Sequence, residues 1–322
     1  MNGMEHGLAK REALKGPKYG PTIEVAACII RDSGGRVLMA ERRAEQLSAG
    51  YWELPGGKIE PGESALAAAA RELFEETGLE GAGLKPFASY SHRFPTRRIN
   101  LTLFEATSWS GTPTGRESQR VEWVDPTRPA VAPILPSNAK ALQLLSLPSE
   151  VLCVSAPCCN TPAWAKAAVG QALSRGAGAV LFTDQNLIPA QRATLARTLA
   201  KQSTCYNLPI WLQDGSSSVA QMEKTLHVVS NRSLLPTTRG SSTIYGLIEE
   251  NAARLTKELT TQADFFIVPL PNEGEGSADE WQAFQVLTAT LSIPVYAMIS
   301  ADPATQQAAY AAGATGVCIK AD

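Results

Sequence analysis

The second half of the chain alternates between short apolar runs and helix-forming segments, and this alternation constrains the fold more than any other feature. Eight such runs lie within residues 151–320, among them VLCVS, DFFIVPL and GVCIK. Amphipathic stretches such as AWAKAAVGQALSR and EENAARLTKEL, which we predict to be helices, separate most of them. Strands that are apolar along their whole length are typical of parallel sheets covered on both faces. We therefore predict a small parallel (β/α)8 barrel, near the lower size limit of that fold.

The first half has a different pattern, in which β-branched runs are broken by glycine and proline turns. IEVAACIIR and RVLMAER, joined by DSGG, predict a β-hairpin. ESALAAAARELFEET predicts a helix that ends at Gly78, and SNAKALQLLSL predicts a short helix that closes this unit near residue 146. The expected organisation is a flexible tail over 1–22, an α/β domain over 23–146 and the barrel over 151–322.

Composition excludes several classes of function. Apolar residues make up 44% of the chain, and the net charge is −2, so a soluble globular protein without a bulk nucleic-acid or membrane partner is expected. There is no apolar run of membrane-spanning length and no signal-peptide core, which favours a cytoplasmic location. The six cysteines lack metal-ligand spacing, and the vicinal pair Cys158-Cys159 is a weak candidate for redox or metal chemistry. The oligomeric state is not indicated.

An acidic helix follows a Gly-Gly turn, and this is where chemistry is expected. Glu72, Glu75 and Glu76 are spaced so that their carboxylates share one helix face. Such a face is either a solvated surface or a binding site for a hard divalent cation such as Mg²⁺. The Gly56 carbonyl, in the preceding turn, is placed to contribute a further oxygen.

The spacing decides between these alternatives. Gly57, Glu63, the segment Arg71-Glu72-Leu73, the pair Glu75-Glu76 and the pair Gly78-Leu79 match GX5EX7REUXEEXGU at every fixed position. This pattern is the Nudix box, and residues 23–146 resemble the MutT branch of the Nudix hydrolases. The resemblance implies an α/β/α sandwich that hydrolyses a small-molecule nucleoside triphosphate to a monophosphate and pyrophosphate.

The same resemblance implies a role for each residue of the site. Glu72, Glu75 and Glu76 bind Mg²⁺, with Mn²⁺ as an alternative, and the Gly56 carbonyl is a further ligand. Glu117, in TGRESQRVEWV, is a ligand or general base, unless it is an ordinary loop residue. Arg71 orients the cluster by ion pairing.

Substrate contacts are implied for a second group of residues, namely Arg43, Leu54, Gly57, Lys58, Phe94 and Asn138. Asn138, in LPSNAKAL, resembles an asparagine that reads the guanine edge, and 8-oxo-dGTP is the expected substrate. The alternative is that Asn138 or Ser137 caps the following helix. The alternative interpretation of Arg43 is an ordinary surface residue, and that of Leu54 and Phe94 is a core residue. His92 is expected to be structural.

The barrel resembles thiamine-phosphate synthase and its TenI-like relatives, in stretches such as PVYAMISADPATQQAAYAAGATGVCIK. Positions that carry that family's chemistry differ here: PLPNEGEG, TDQN and Ile299-Ser300-Ala301 replace its polar and glycine-rich loops. We therefore expect no synthase activity, and His227 is interpreted as a core residue. Three roles remain open for the barrel, namely a scaffold, a ligand sensor or an assembly surface. The rival functions are hydrolysis of a thiamine-pathway diphosphate and non-catalytic sensing.

Overall fold

The computed structural model describes most of the chain, in the following segments: 20–155, 162–183, 187–214, 225–230, 232–235, 244–250, 252–255, 262–271 and 278–321. Several of the sequence features named above lie wholly or partly outside these segments. They are residues 1–19 of the predicted tail, the Cys158-Cys159 pair, most of TDQN and residues 272–276 of PLPNEGEG.

Residues 20–146 fold into small sheets and two helices. The elements are β1 (Thr22–Ile29), β2 (Val37–Glu41), β3 (Trp52–Glu53), β4 (Gly56–Lys58), α1 (Ala65–Thr77), β5 (Glu80–Ala82), β6 (Lys85–Arg93), β7 (Arg98–Glu105), β8 (Ser108–Ser110), β9 (Val121–Val124) and α2 (Pro136–Leu145). β1 begins inside the predicted tail.

A four-stranded mixed sheet in the order β4-β1-β7-β6 forms the centre of this unit. Strands β1 and β7 are parallel, whereas β4 and β6 pair antiparallel to their neighbours. Successive residues of a strand point to opposite faces. Accordingly Ala26 of β1 clusters with Ala68 and Ala69 of α1, while Ala27 clusters with Ala141 of α2. One helix therefore covers each face, and the predicted α/β/α sandwich is confirmed.

The predicted hairpin of β1 and β2 is wrong beyond its turn. The turn itself forms, because the Asp32 carboxylate accepts from the amides of Gly34 and Arg36, each at 2.9 Å. Past a single bridge between Arg31 and Val37, however, β2 leaves β1 and pairs with β3 and β9. β1 instead pairs with β7 along its whole length, a partner that local sequence does not indicate.

Residues 150–320 form a closed barrel of eight parallel strands, as predicted. Its elements are β10 (Glu150–Val154), α3 (Pro162–Arg175), β11 (Ala179–Phe182), α4 (Pro189–Thr204), β12 (Ile210–Gln213), β13 (Thr225–Val229), β14 (Tyr245–Ile248), β15 (Phe265–Pro269), α5 (Ala278–Thr290), β16 (Val295–Ile299), α6 (Pro303–Ala311) and β17 (Gly316–Lys320).

The barrel helices follow the predicted segments with two differences. EENAARLTKEL was expected to be helical, but within its described part only a short 3-10 turn, Ala252–Arg254, is formed. Helix α5 was not among the segments singled out from the sequence, because its apolar residues follow no clear one-sided period. The TIM-like fold is therefore confirmed, while the exact domain boundaries stay a prediction.

Aromatic rings fill the end of the barrel at which the strands begin. The ring centroids of Trp211, Phe265 and Tyr296 lie 4.9–5.7 Å apart in pairs, and the three side chains come from three different strands. Gly246 and Gly316 make room for them, since a Cβ at either position would come within 2.4 Å of the Phe265 or Tyr296 ring. This end is a packed core and not an open pore.

Among the described residues, no helix is both long and apolar enough to cross a membrane.

Candidate active site

The Gly56-Gly57 pair, predicted to be a turn, instead lies in strand β4, which pairs with β1 and lies against helix α1. The Gly56 amide donates to Oε2 of Glu76 at 3.1 Å. A Cβ on Gly57 would come within 2.2 Å of Oε1 of Glu72, so only glycine fits there without displacing that carboxylate. Ser64 caps the start of α1 by accepting from the Ala67 amide. Helix α1 and strand β4 therefore fix each other's position, and they bring the glutamates of the box together.

Arg71 hydrogen-bonds to several of the glutamates of the box at once. Its guanidinium donates to Glu63 and Glu72 at 2.9 Å and to Glu75 at 3.0 Å. It also donates to the Lys58 carbonyl oxygen in β4 at 3.2 Å. An arginine with several carboxylate partners fixes their geometry better than a flexible lysine would. These contacts fit the orienting role predicted for Arg71.

The deeper carboxylates are held in an environment that disfavours their charge. The pKa of Glu76 is raised to about 8, mainly by burial and in addition by the charges of Glu53, Glu72 and Glu117. Burial likewise raises the pKa of Glu53 to about 7, although Arg42 opposes this. The pKa of Glu72 is also raised, mainly by burial. Crowded, partly protonated carboxylates are a feature that a bound cation would relieve.

Glu117 lies close to the acidic helix. It pairs with Arg43 at 3.3 Å, and its charge contributes to the raised pKa values of Glu72 and Glu76. Its loop is held against the end of α1, because Gln119 accepts from the Glu117 amide and donates to the Glu76 carbonyl oxygen. The structure therefore brings Arg43 and Glu117 together beside the glutamate cluster.

These oxygen atoms are of the type that binds a divalent cation, but they are not arranged as a complete coordination site. In the described part of the chain, no three acidic, histidine or cysteine side chains are close enough together to hold a metal ion as they stand. Glu75 is drawn to Arg71, and Glu76 is drawn to the Gly56 amide. To bind a cation, these two side chains would have to turn away from Arg71 and Gly56. Carboxylate and carbonyl oxygens are nevertheless the ligands that Mg²⁺ prefers.

Asn138 belongs to α2, is buried, and contacts the segment between β3 and β4. Its Oδ1 accepts from the Leu54 amide at 3.0 Å. The capping alternative is wrong for both Asn138 and Ser137, because Leu135 is the N-cap residue and no side chain caps this end. Pro136 begins the helix, where its missing N–H costs nothing. Asn138 is thus tied to the site by a long-range contact.

The other predicted substrate residues have mixed positions. The Leu54 side chain is in the hydrophobic core, so its contact with Asn138 is through the backbone. Lys58 is exposed at the end of β4. Phe94 lies at the β6–β7 turn, where its ring packs against His92 and the Arg97 guanidinium. Among the contacts of the described residues, none joins Phe94 to the acidic cluster.

Glu53 is a site residue that sequence reasoning missed. It lies at the end of β3, is paired with Arg42 and contributes to the raised pKa of Glu76. A signal was present, since WEL places a charged residue between two apolar residues just before the turn. Glu53 is outside the box, and only the pairing of β2 with β3 brings Arg42 beside it.

Comparison with known proteins identifies the family. Residues 21–145 match the model of the NUDIX domain. A CTP pyrophosphohydrolase of Escherichia coli (strain K12) is 36% identical over 121 residues, which are 38% of this chain and 89% of that protein. An 8-oxo-dGTP diphosphatase of Haemophilus influenzae is 34% identical over 123 residues, which are 38% of this chain and 90% of that protein. The chain belongs to the Nudix family.

Among solved structures, the crystal structure of a MutT NUDIX hydrolase from Burkholderia pseudomallei covers 38% of this chain and 96% of that one, at 23% identity and a TM-score of 0.35. Because the sequence relatives match nearly their full length, the N-terminal domain is a Nudix hydrolase, and the expected enzyme class is confirmed. Nudix hydrolases generally use divalent metals such as Mg²⁺ and act on small-molecule nucleotides. The relatives differ in the base that their names specify.

Proposed function

We propose that this Nudix hydrolase is a Mg²⁺-dependent nucleoside triphosphate pyrophosphohydrolase that acts on 8-oxo-dGTP and releases 8-oxo-dGMP and pyrophosphate. The observation that carries the proposal is the placement of Asn138. It is buried, and its Oδ1 accepts from the Leu54 amide in the segment between β3 and β4. Its amide group is therefore held in one orientation by the segment that leads to Gly56.

The acidic cluster supplies the hydrolytic half of this function. Glu72, Glu75, Glu76 and Glu117, with the Gly56 carbonyl, would hold the metal, and Mn²⁺ is an alternative to Mg²⁺. When bound, the metal neutralises phosphate charge and makes water a better nucleophile. Gly57 leaves space for the Glu72 carboxylate, and Arg71 holds the outer carboxylates in place. Arg43 and Lys58 are cations at the rim that suit polyphosphate oxygens.

Asn138 supplies the base-selecting half. Its Oδ1 is already used by Leu54, so the NH2 end is the one that would meet a base. An NH2 group donates hydrogen bonds, and the O6 atom of guanine and 8-oxoguanine is an acceptor. Cytosine presents a donor amino group on the corresponding edge. This difference favours a guanine-type nucleotide over CTP.

The experiment is pyrophosphate release with Mg²⁺ by the full chain, with 8-oxo-dGTP, dGTP, CTP and thiamine-type diphosphates as substrates. We expect the highest kcat/KM with 8-oxo-dGTP. Asn138→Asp keeps an acceptor for the Leu54 amide but loses the NH2 donor, so it should lower kcat/KM for 8-oxo-dGTP by roughly 10- to 200-fold. The matched control is Asn207→Asp, which changes an asparagine in the barrel and should have no effect on turnover.

Three results would contradict the proposal. A higher kcat/KM with CTP would assign the site to pyrimidine nucleotides. A preference for a thiamine-type diphosphate would assign it to thiamine metabolism, because the fused barrel resembles thiamine-phosphate synthase. Failure to hydrolyse any of these substrates, with ligand binding retained, would favour a sensor.

A further inference from the structure

Helix α2 is contacted by both halves of the molecule. On its barrel side, the Lys140 ammonium forms an ion pair with the Asp264 carboxylate, which is only 2% exposed. Asp264 immediately precedes β15, and its Oδ2 accepts from the Tyr245 amide of β14 at 2.9 Å. The carboxylate is thus fixed to two neighbouring barrel strands. A buried ion pair of this kind is weak evidence for stability but defines geometry closely, because moving either partner leaves a buried charge unpaired.

Further contacts surround this pair. The Lys140 ammonium lies 5.3 Å from the centre of the Tyr90 ring, and the Tyr90 hydroxyl donates to the Ser137 carbonyl oxygen of α2 at 2.8 Å. One residue before Tyr90, the Ser89 amide donates to the carbonyl oxygen of Ser292 in the barrel at 3.0 Å. Strand β6, helix α2 and the barrel are therefore joined at one point by charged and hydrogen-bonded groups.

The apolar contacts agree with the polar ones. Leu144 and Leu145 of α2 belong to the same buried cluster as the barrel's aromatic rings. After α2 ends, the Pro148 carbonyl oxygen accepts from the Tyr296 hydroxyl at 2.7 Å. Packed interiors resist small displacements, so α2 has little freedom to shift relative to the barrel.

The opposite side of α2 faces the hydrolytic site. Asn138 lies two residues before Lys140, and residues two apart on a helix point in different directions. The contact of Asn138 with the Leu54 amide leads within two residues to Gly56, whose amide is bound to Glu76. A continuous series of contacts therefore runs from Asp264 of the barrel to the acidic cluster.

We propose that the end of the barrel at which its strands begin positions α2 for catalysis, and that Lys140 and Asp264 are positioning residues for base selection through Asn138. This inference rests on the proposed function for the identity of the base. The barrel then has a defined role without any chemistry of its own. The barrel holds the helix that carries the base-contacting residue, while strand β4 and helix α1 carry most of the residues proposed to bind the metal.

The test uses the full chain with Lys140 and Asp264 changed together, as Lys140→Met with Asp264→Asn. This removes both charges at once, and the asparagine keeps an acceptor for the Tyr245 amide. The matched control is Arg31→Met with Glu105→Gln, which removes a 2.7 Å ion pair in the Nudix domain away from α2. Three quantities are measured: the hydrogen-exchange rate of the Leu54 amide, and kcat and KM, each with 8-oxo-dGTP and with CTP.

We expect the Leu54 amide of the double variant to exchange faster, and KM for 8-oxo-dGTP to rise roughly 2- to 30-fold with kcat unchanged. The control variant should leave both at their original values. Unchanged exchange and unchanged KM in the folded variant would overturn the inference, and so would an equal fall in kcat with every nucleotide. If the double variant does not fold, Lys140→Arg, which keeps the ion pair but changes its geometry, should give a smaller shift in the same direction.

The two proposals fail in different ways. If the unaltered protein shows no preference for 8-oxo-dGTP, the proposed function is wrong, and the exchange rate of the Leu54 amide still decides whether the barrel positions α2. If the unaltered protein does prefer 8-oxo-dGTP and the double variant matches it in every measurement, only the positioning inference is wrong.

Discussion

The hydrolytic site and the aromatic end of the barrel are both densely occupied, but by opposite kinds of interaction. At the site, Glu53, Glu72 and Glu76 are crowded so that burial raises the pKa of each. In the barrel, the rings of Trp211, Phe265 and Tyr296 pack against one another inside the apolar core. The site keeps unfavourable electrostatics that a ligand can relieve, whereas the barrel end provides stability. Substitutions in the two regions should therefore affect different measurements.

The largest effect on stability is expected from Trp211→Ala. Trp211 is 1% exposed and contacts two other rings, so truncation should lower the free energy of unfolding by about 3–5 kcal/mol. The measurement is urea denaturation followed by fluorescence and circular dichroism, with the partly buried Trp281→Ala as the control, which should lose less. The folded fraction of Trp211→Ala should keep its kcat. A loss of kcat in the folded protein would show that the barrel end takes part in the chemistry.

Glu75→Gln should show the reverse pattern. The Glu75 side chain is 52% exposed, and its ion pair with Arg71 is of the surface kind that contributes little to stability. We expect an unchanged unfolding midpoint and a fall in kcat of about 10²- to 10³-fold with Mg²⁺, because a charge that stabilises the transition state is lost. Glu80→Gln, just beyond α1, is the control and should keep full activity. Full activity of Glu75→Gln would remove this residue from the proposed site.

The smallest effect concerns the pH dependence of stability without metal. The folded-state pKa values of Glu76 and Glu53 are raised to about 8 and about 7, above the ordinary value of 4.5. Between about pH 4.5 and pH 8 the folded protein therefore holds more protons than the unfolded chain, so its stability falls as pH rises. We expect a loss of roughly 2 kcal/mol across this range in EDTA, below the upper limit of about 1.4 kcal/mol per pH unit for each group.

Two controls accompany this measurement. Glu76→Gln keeps an acceptor for the Gly56 amide but cannot ionise, so its stability should depend less on pH than that of the unaltered protein. Added Mg²⁺ should flatten the profile of the unaltered protein, since a bound cation favours the charged carboxylates. A stability that rises with pH in EDTA would contradict the shifted pKa values.

Much of this protein could be predicted from the sequence because the signals are local. The spacing from Gly57 to Leu79 specifies a turn, a helix and its end, and these contacts involve residues close in the chain. The apolar strands of the barrel follow one another in order around a closed sheet, so each pairs with its neighbours in sequence. Where neighbours in sequence are also partners in space, periodicity and propensity are sufficient.

Tertiary structure alone decided the remaining features, which join residues far apart in the chain. β1 pairs with β7 and not with β2, because a strand's partner depends on which faces the helices cover, and no local residue records that choice. The raised pKa of Glu53 comes mainly from its burial, which the local sequence does not record. Asn138 is a core residue bound to Leu54, 84 positions away, and not the cap that its local sequence allowed. The sequence by itself determined the box and the barrel; only packing determined how helix α2 joins them.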